Sequence, residues 1–268
     1  MPTRPLMAQL VIVRHAAAAA VAEYRHLYTW RSWTFGWLGR MLSQVTFFTL
    51  VGRLLGSEAS VHYLVVGNAL MVCVIETMMV VPAGSRERAE GTLVALSSTP
   101  APWGTVLFGR GLYAPAGGTL TSAVSLLVLA PLFGVRIPPG HMPLLLLLVV
   151  LTALSTYGFG LLLSALVIAF PGARNIVSNS ATLLMTAVCG VQVPVDFWPA
   201  WVRAAAAVMP LTHCLTAVRA LAAPHSTAPV AVPVVLALVT GACWHALAHL
   251  AASWVRRHER TTGSFGYA

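Results

Sequence analysis

The chain contains no lysine, and all 16 of its basic residues are arginine. A P-loop needs a lysine on the nucleotide phosphates, and Schiff-base chemistry needs a lysine amine, so neither belongs to this chain. If ATP drives this protein, a different chain must hydrolyse it.

Charged residues of either sign are scarce. They make up 9% of the 268 residues, whereas a soluble domain carries about 25%. Hydrophobic residues reach 58%, and the mean hydropathy is +0.80. This balance predicts an integral membrane protein with several spans in one membrane domain. The net charge of +9 comes from arginines at the ends of apolar segments, which favours lipid headgroups over nucleic acid as partners.

Catalytic and metal-binding patterns are also missing. The four cysteines, at positions 73, 189, 214 and 243, have no zinc-type spacing. The seven acids contain no Asp-x-x-x-Asp pair for a diphosphate, and no Gly-x-Ser-x-Gly elbow occurs. We therefore expect no catalytic residues, no bound metal and no cofactor on this chain.

Six apolar segments predict an all-α membrane protein with six transmembrane helices. Each segment approaches or exceeds the length that crosses a bilayer as a helix. The third is interrupted by Arg110, Pro115 and glycines, which predicts a kink. We expect a tail with an amphipathic interfacial helix at 1–33, a transmembrane domain at 34–255 and a second tail at 256–268. The segments are 34–55, 61–81, 103–133, 143–170, 176–193 and 230–254.

The segment from 194 to 229 differs from the spans, because prolines divide it into pieces too short to cross a bilayer. These pieces predict re-entrant half-helices. Arginine asymmetry sets the orientation: with both termini in the cytoplasm, twelve arginines lie inside and four outside. The half-helices then face outward.

The densest run of charge lies between residues 84 and 100, with four charged side chains within five positions. Such a run lies in water or at the membrane surface, because hydrocarbon leaves its polar groups unsatisfied. Thr92 suits the N-cap of a short helix, which Pro100 limits. Either this helix is a surface for a soluble partner, or the run is a solvated loop. The four charged residues are Arg86, Glu87, Arg88 and Glu90.

Three polar side chains fall inside the predicted spans, namely Gln44, Asn68 and Glu76. A charge at mid-bilayer costs about 2.5–3.5 kcal/mol on insertion scales. Glu76 therefore lines a transport path, or it is a neutral carboxyl bonded to a neighbouring helix. His245 and His249 are four residues apart and share a helix face. We expect them to pack or form hydrogen bonds, with metal binding as the alternative.

One motif is the cytoplasmic charged turn, which ends in Gly-Thr-Leu at 91–93. The other follows the fifth span and is a Pro-Leu-Thr segment, at 210–212, with Arg219 after it. In this order, the two motifs resemble those of the ABC-2 type transporter permeases, the membrane subunits of ABC exporters. The chain departs from the family at positions 89 and 94, where alanine and valine stand instead of the common acids. The second motif comprises Pro194, Pro199, Trp201, Pro210, Leu211, Thr212, His213 and Arg219.

The resemblance implies an ABC ATPase dimer as partner, which holds ATP and Mg²⁺ and docks on the charged turn and the N-terminal helix. It implies a second permease chain, identical or related, because six spans make half a transporter. The chain would export a drug, antibiotic or lipid-like molecule from the cytoplasm across the cell membrane. The implied coupling residues are Arg86, Glu87, Arg88, Glu90, Gly91, Thr92, Leu93 and Leu96.

Two other hypotheses remain open on the residues. The first is a secondary transporter or channel that uses Glu76 as part of a proton path. The second is an intramembrane enzyme that binds a metal through His245 and His249.

Overall fold

The computed structural model describes residues 4–27, 29–54, 56–89, 91–92, 101–135, 137–222 and 229–262. All regular structure in these ranges is helical, and they contain no strand, which confirms the all-α class. The predictions for Glu90, Leu93 and Leu96, and for the short helix limited by Pro100, lie outside the described residues.

Twelve α-helices occur in the described ranges. A π-helical segment, Ser32–Leu38, precedes α2, and another, Ser125–Leu129, joins α6 to α7. The helices are α1 (Arg4–Leu27), α2 (Gly39–Leu54), α3 (Glu58–Thr77), α4 (Val80–Ala89), α5 (Trp103–Gly111), α6 (Tyr113–Val124), α7 (Ala130–Leu132), α8 (Met142–Ala169), α9 (Arg174–Val188), α10 (Ala200–Ala207), α11 (Pro210–Ala222) and α12 (Ala231–Thr262).

Four helical segments in the described part of the chain are long and apolar enough to cross a membrane. The pair α10 and α11, bent by 86°, makes a fifth if it counts as one span. The predicted first and fifth spans correspond to α2 and α9, which have 16 and 15 residues and are not among the four. The six-span layout therefore stays a prediction. The four segments are Glu58–Arg88, Trp103–Leu132, Pro139–Ala169 and Ala231–His258.

The second predicted span continues further than its apolar sequence indicates. After a short break at Met78, α4 carries the helix to Ala89, so the first part of the charged run is helical. Pro82 lies in the first turn of α4, where its missing N–H needs no partner. Gly84 allows α4 to approach α8: a Cβ there would lie 2.5 Å from the Ser164 hydroxyl oxygen.

The strongly apolar helix α8 lies at the centre of the packing and contacts α12, α4, α11, α3 and α6. Its Tyr157 is fully buried. Glycines allow α8 and α12 to pack closely, since a Cβ on Gly158 would lie 2.7 Å from the backbone nitrogen of His245. Close contact through small residues is how membrane helices gain packing energy, because lipid gives them no hydrophobic drive to associate.

The third predicted span is interrupted in the part where we expected a kink. The helix is interrupted at Leu112, between α5 and α6, and after α6 it continues as the π-helical segment that precedes α7. π-Helical segments bend helices because they interrupt the i to i−4 ladder. Gly118 seats α6 against α3, where a Cβ would lie 2.5 Å from the carbonyl oxygen of Cys73.

The N-terminal helix, Arg4–Leu27, lies within the region 1–33 where we expected an interfacial helix. Its residues Val13, Ala16 and Ala20 share the face toward the protein, while Arg14 and Arg25 are exposed. This face packs on α5. A Cβ on Gly109 of α5 would lie 2.7 Å from the Ala16 methyl carbon, so the two helices are close.

Candidate functional site

Arg110 of α5 joins the N-terminal helix to the charged run. Its Nη2 donates a hydrogen bond to Glu23 Oε2 of α1 at 2.9 Å, and its Nε donates to Glu87 Oε1 of α4. The side chains of Arg110 and Glu87 are only 16% and 11% exposed, so water screens their attraction weakly. We call these three residues the arginine latch.

Sequence reasoning missed the latch, although one signal was present. Arg110 was read only as an interruption of an apolar segment. A buried arginine in such a segment needs a carboxylate partner. The chain has seven acids, and nothing local indicates which of them bond to Arg110. Glu23 is separated from Arg110 by 87 positions along the chain, and Glu87 by 23 positions.

The predicted coupling residues that the structure describes differ in what they contact. Arg88 turns inward, and its Nη1 donates to the carbonyl oxygen of Ile168 at 2.8 Å. That carbonyl belongs to the last turn of α8, where cations are favoured because the carbonyls there lack partners within the helix. Arg86 is exposed instead. Gly91 has a φ of +72° just after α4, a conformation that favours glycine. Thr92 follows it.

Glu76 lies near the end of α3 and is only 4% exposed. Its Oε1 accepts hydrogen bonds from Trp37 Nε1 at 2.9 Å and from the Thr121 hydroxyl. Glu76 also lines a cavity of about 100 Å³ that extends to Arg110. The hydrogen bonds agree with a carboxyl bonded to neighbouring helices, and the cavity agrees with a residue that lines a transport path. The role of Glu76 in transport therefore stays a prediction.

Asn68 is fully buried in α3. Its Nδ2 donates to the Leu64 carbonyl at 2.8 Å, and its Oδ1 accepts from Gln192 Nε2 at 3.0 Å. Asn68 therefore joins α3 to the segment after α9. Gln44 is half-buried on α2, and no described hydrogen bond joins it to Asn68 or Glu76. The structure does not bring the three predicted path residues into one site.

We expect Asn68→Ala to lower the free energy of unfolding by about 1–3 kcal/mol, because the buried amide bond to Gln192 is lost. Thermal unfolding of the purified protein in detergent measures the effect. Asn179→Ala, which removes an exposed asparagine of α9, is the matched control. Equal midpoints for the two variants would contradict the importance of this bond.

Arg219 of α11 joins this helix, one of the two predicted half-helices, to α3. Its guanidinium lies 3.5 Å from the ring centroid of Tyr63, and Nη2 donates to the Tyr63 carbonyl at 3.2 Å. The Tyr63 hydroxyl donates to the Gly190 carbonyl at 2.7 Å. Gly67 completes this contact, since a Cβ there would lie 2.3 Å from the Val191 carbonyl oxygen. We call these five residues the outer joint, after the side of the membrane that the arginine asymmetry predicts for them; it connects α3, α11 and the segment after α9.

The second motif also forms the bend between α10 and α11. Thr212 donates from its hydroxyl to the Ala206 carbonyl at 2.7 Å, and His213 donates from Nε2 to the Ala207 carbonyl at 2.8 Å. These bonds satisfy the last carbonyls of α10, which have no partner within the helix. Pro199 and Pro210 stand at the beginnings of α10 and α11, Pro194 precedes the turn Val195–Phe197, Leu211 is buried and Trp201 is exposed.

His245 has the packing role that we expected. Its ring Nε2 donates to the Leu154 carbonyl at 2.9 Å, and the ring lies against Phe108 and Tyr157. His249 lies against Gly104. Within the described ranges, no three histidine, cysteine, aspartate or glutamate side chains are grouped as metal ligands.

Comparison with family models identifies a family for this chain. A family model described as "ABC-2 type transporter" matches residues 18–222, about three quarters of the chain. The match begins inside α1 and ends with α11, so it contains the latch, the charged run and the outer joint. A search of curated proteins finds no similar sequence.

Proposed function

Because the chain belongs to the ABC-2 type transporter family, and is thus the membrane component of an ABC-type transporter, we propose that it is the permease subunit of an exporter. It moves an amphipathic small molecule, such as a drug, an antibiotic or a lipid-like compound, out of the cell by alternating access. The family match is the observation that carries this proposal. Permeases of this family work with an ATPase subunit, and this chain contains no lysine for a P-loop of its own.

The ATPase docks where α1, α4 and the charged run meet. Two features support this position: Arg86 is exposed on α4, and the arginine latch ties α4 to α1. A push on the charged run would move α4, and the latch would transmit that movement to α1 and α5. Both termini and this surface are cytoplasmic, the second permease chain completes the transporter, and the protein lies in the cell membrane.

Cysteine crosslinking tests the docking surface. Cys243 is the exposed member of the four cysteines, so Cys243→Ser gives a background for new cysteines. We expect Arg86→Cys to crosslink, in intact cells, to a polypeptide with Walker motifs that mass spectrometry identifies. Glu58→Cys at the opposite end of the same long span is the control and should give no such product. An ATPase crosslink at position 58 but not at 86 would reverse the proposed orientation.

Vesicle transport tests the energy source. Inside-out vesicles containing the chain and its ATPase should accumulate substrate only with hydrolysable ATP, and collapse of the proton gradient should leave the rate unchanged. The rival hypothesis, a proton-coupled transporter, rests on Glu76 and its cavity. Uptake that follows the proton gradient and needs no ATPase would replace our proposal with that one.

A further inference from the structure

The cavity beside Glu76 has the features of a binding site. It lies between α1, the α3–α4 span and the α5–α6 span, and it has a volume of about 100 Å³. A water molecule needs roughly 10–15 Å³ on such a measure, so the cavity has room for a small organic group. Its wall combines one carboxyl with aromatic and aliphatic side chains. The lining residues include Tyr24, Trp37, Glu76, Val80, Tyr113 and Gly117.

Only one oxygen of the Glu76 carboxyl is used by the fold. Oε1 accepts the bonds from Trp37 and Thr121, whereas no described residue donates to Oε2. Gly117 leaves the space in front of Oε2 free of a side chain, since a Cβ there would lie 2.6 Å from this oxygen. Among the described residues, no arginine or histidine forms an ion pair with Glu76.

The cavity's other charges are balanced. Arg110 is bonded to two carboxylates, Glu87 and Glu23, so its positive charge is neutralised on the side where the cavity extends toward the latch. Arg86, also at this cavity, is exposed to solvent. Glu76 is therefore the acid of this cavity whose second oxygen has no donor among the described residues. It lies in the same cavity wall as aromatic rings, which attract cations through their faces.

We propose that this cavity binds a monovalent organic ammonium carried on an apolar or aromatic body, with Glu76 Oε2 as its counter-ion. The tryptophan and the two tyrosines surround the ammonium group, and Val80 contacts the body. An inorganic divalent cation does not fit, because it needs about six oxygen ligands. An anion is repelled by Glu76, and a neutral apolar molecule leaves Oε2 without a donor. If the carboxyl is neutral before binding, it transfers its proton to the lone pair of the unprotonated amine, and the same ammonium–carboxylate pair results.

The idea that the protein exports this class of ammonium compound rests on the proposed function. Binding itself needs neither ATP nor an ATPase. The full chain is therefore reconstituted alone in phosphatidylcholine nanodiscs. Calorimetric titration compares 1-naphthylmethylamine with its neutral analogue 1-naphthalenemethanol, and empty nanodiscs supply the background. We expect the amine to bind at least about tenfold more tightly, because a charge-assisted bond is stronger than a neutral one. Equal affinities, or no saturable binding of the amine, would overturn the inference.

Two variants locate the site. Glu76→Gln keeps an amide oxygen to accept from Trp37 and Thr121 but removes the counter-ion, so we expect its affinity for the amine to fall to that for the alcohol. Glu58→Gln removes an exposed acid from the opposite end of the same span and should bind like the unmodified chain. Unchanged binding in Glu76→Gln would place the amine elsewhere. Should this variant fail to fold, the comparison of amine and alcohol on the unmodified chain still decides.

The binding and transport experiments test the site and the proposed function independently. Selective amine binding without ATP-driven export removes the proposed function and keeps the site. ATP-driven export without amine selectivity removes the site and keeps the function.

Discussion

Arg110→Ala is expected to lower the free energy of unfolding by about 3 kcal/mol and to abolish coupled export. The substitution leaves Glu87, whose side chain is 11% exposed, without its Arg110 counter-ion. It also cuts the connection between α1 and α4. Thermal unfolding in detergent measures the first effect, and ATP-driven transport in vesicles measures the second.

Two further variants separate stability from coupling. Arg86→Ala removes an exposed arginine from the helix that carries Glu87, and its stability should not change. In the double variant Arg110→Met with Glu87→Met, neither partner's charge remains buried, so part of the stability should return. Transport should stay low in the double variant, because α1 and α4 are still not joined by the latch. Full transport in Arg110→Ala would exclude the latch from the coupling path.

Gly67→Ala is expected to disrupt the outer joint. The added Cβ would lie 2.3 Å from the Val191 carbonyl oxygen and 2.8 Å from Arg219 Nη2. The arginine can shift, but the carbonyl belongs to the backbone and cannot move without its segment. Overpacking of this kind costs about 1–3 kcal/mol. We therefore expect a lower unfolding midpoint and a lower yield of monodisperse protein on size-exclusion chromatography.

The matched control is Gly36→Ala, because a Cβ at Gly36 meets no atom within 4 Å. This variant should unfold at or above the midpoint of the unmodified chain, since alanine favours helical backbone more than glycine does. The same loss of stability in both variants would mean that backbone propensity, and not the clash with Val191, explains the effect at position 67.

Long apolar segments were predicted well from the sequence. The segment predicted at 143–170 is found as Met142–Ala169, and the segment predicted at 103–133 is found as Trp103–Leu132. A bilayer leaves the backbone no alternative to a helix over such lengths, so composition alone decides. The division of the chain at Pro210 was also predicted, because this proline cannot continue the ladder of α10; the 86° bend between the two pieces was not. The family resemblance from the two motifs is confirmed by the match over residues 18–222.

Predictions about where the charged run lies and what its residues contact were weaker. The sequence predicted a run in water or at the membrane surface, and it did not indicate that Glu87 is buried against Arg110 or that Arg88 bonds to the end of α8. The helix α4 continues the second span because Gly84 fits against Ser164. That fit depends on a residue 80 positions away, and local charge density contains no information about it.

The sequence by itself therefore determined that this is a helical membrane protein without a P-loop lysine, since bilayer solvation and residue chemistry act on each segment alone. Only the tertiary structure decided which charges meet. Glu23, Glu87 and Arg110 come from three helices, and Glu76 meets Trp37 and Thr121 from two other segments. Ion pairs and hydrogen bonds act over a few ångströms in space, so their partners are fixed by helix packing rather than by position along the chain.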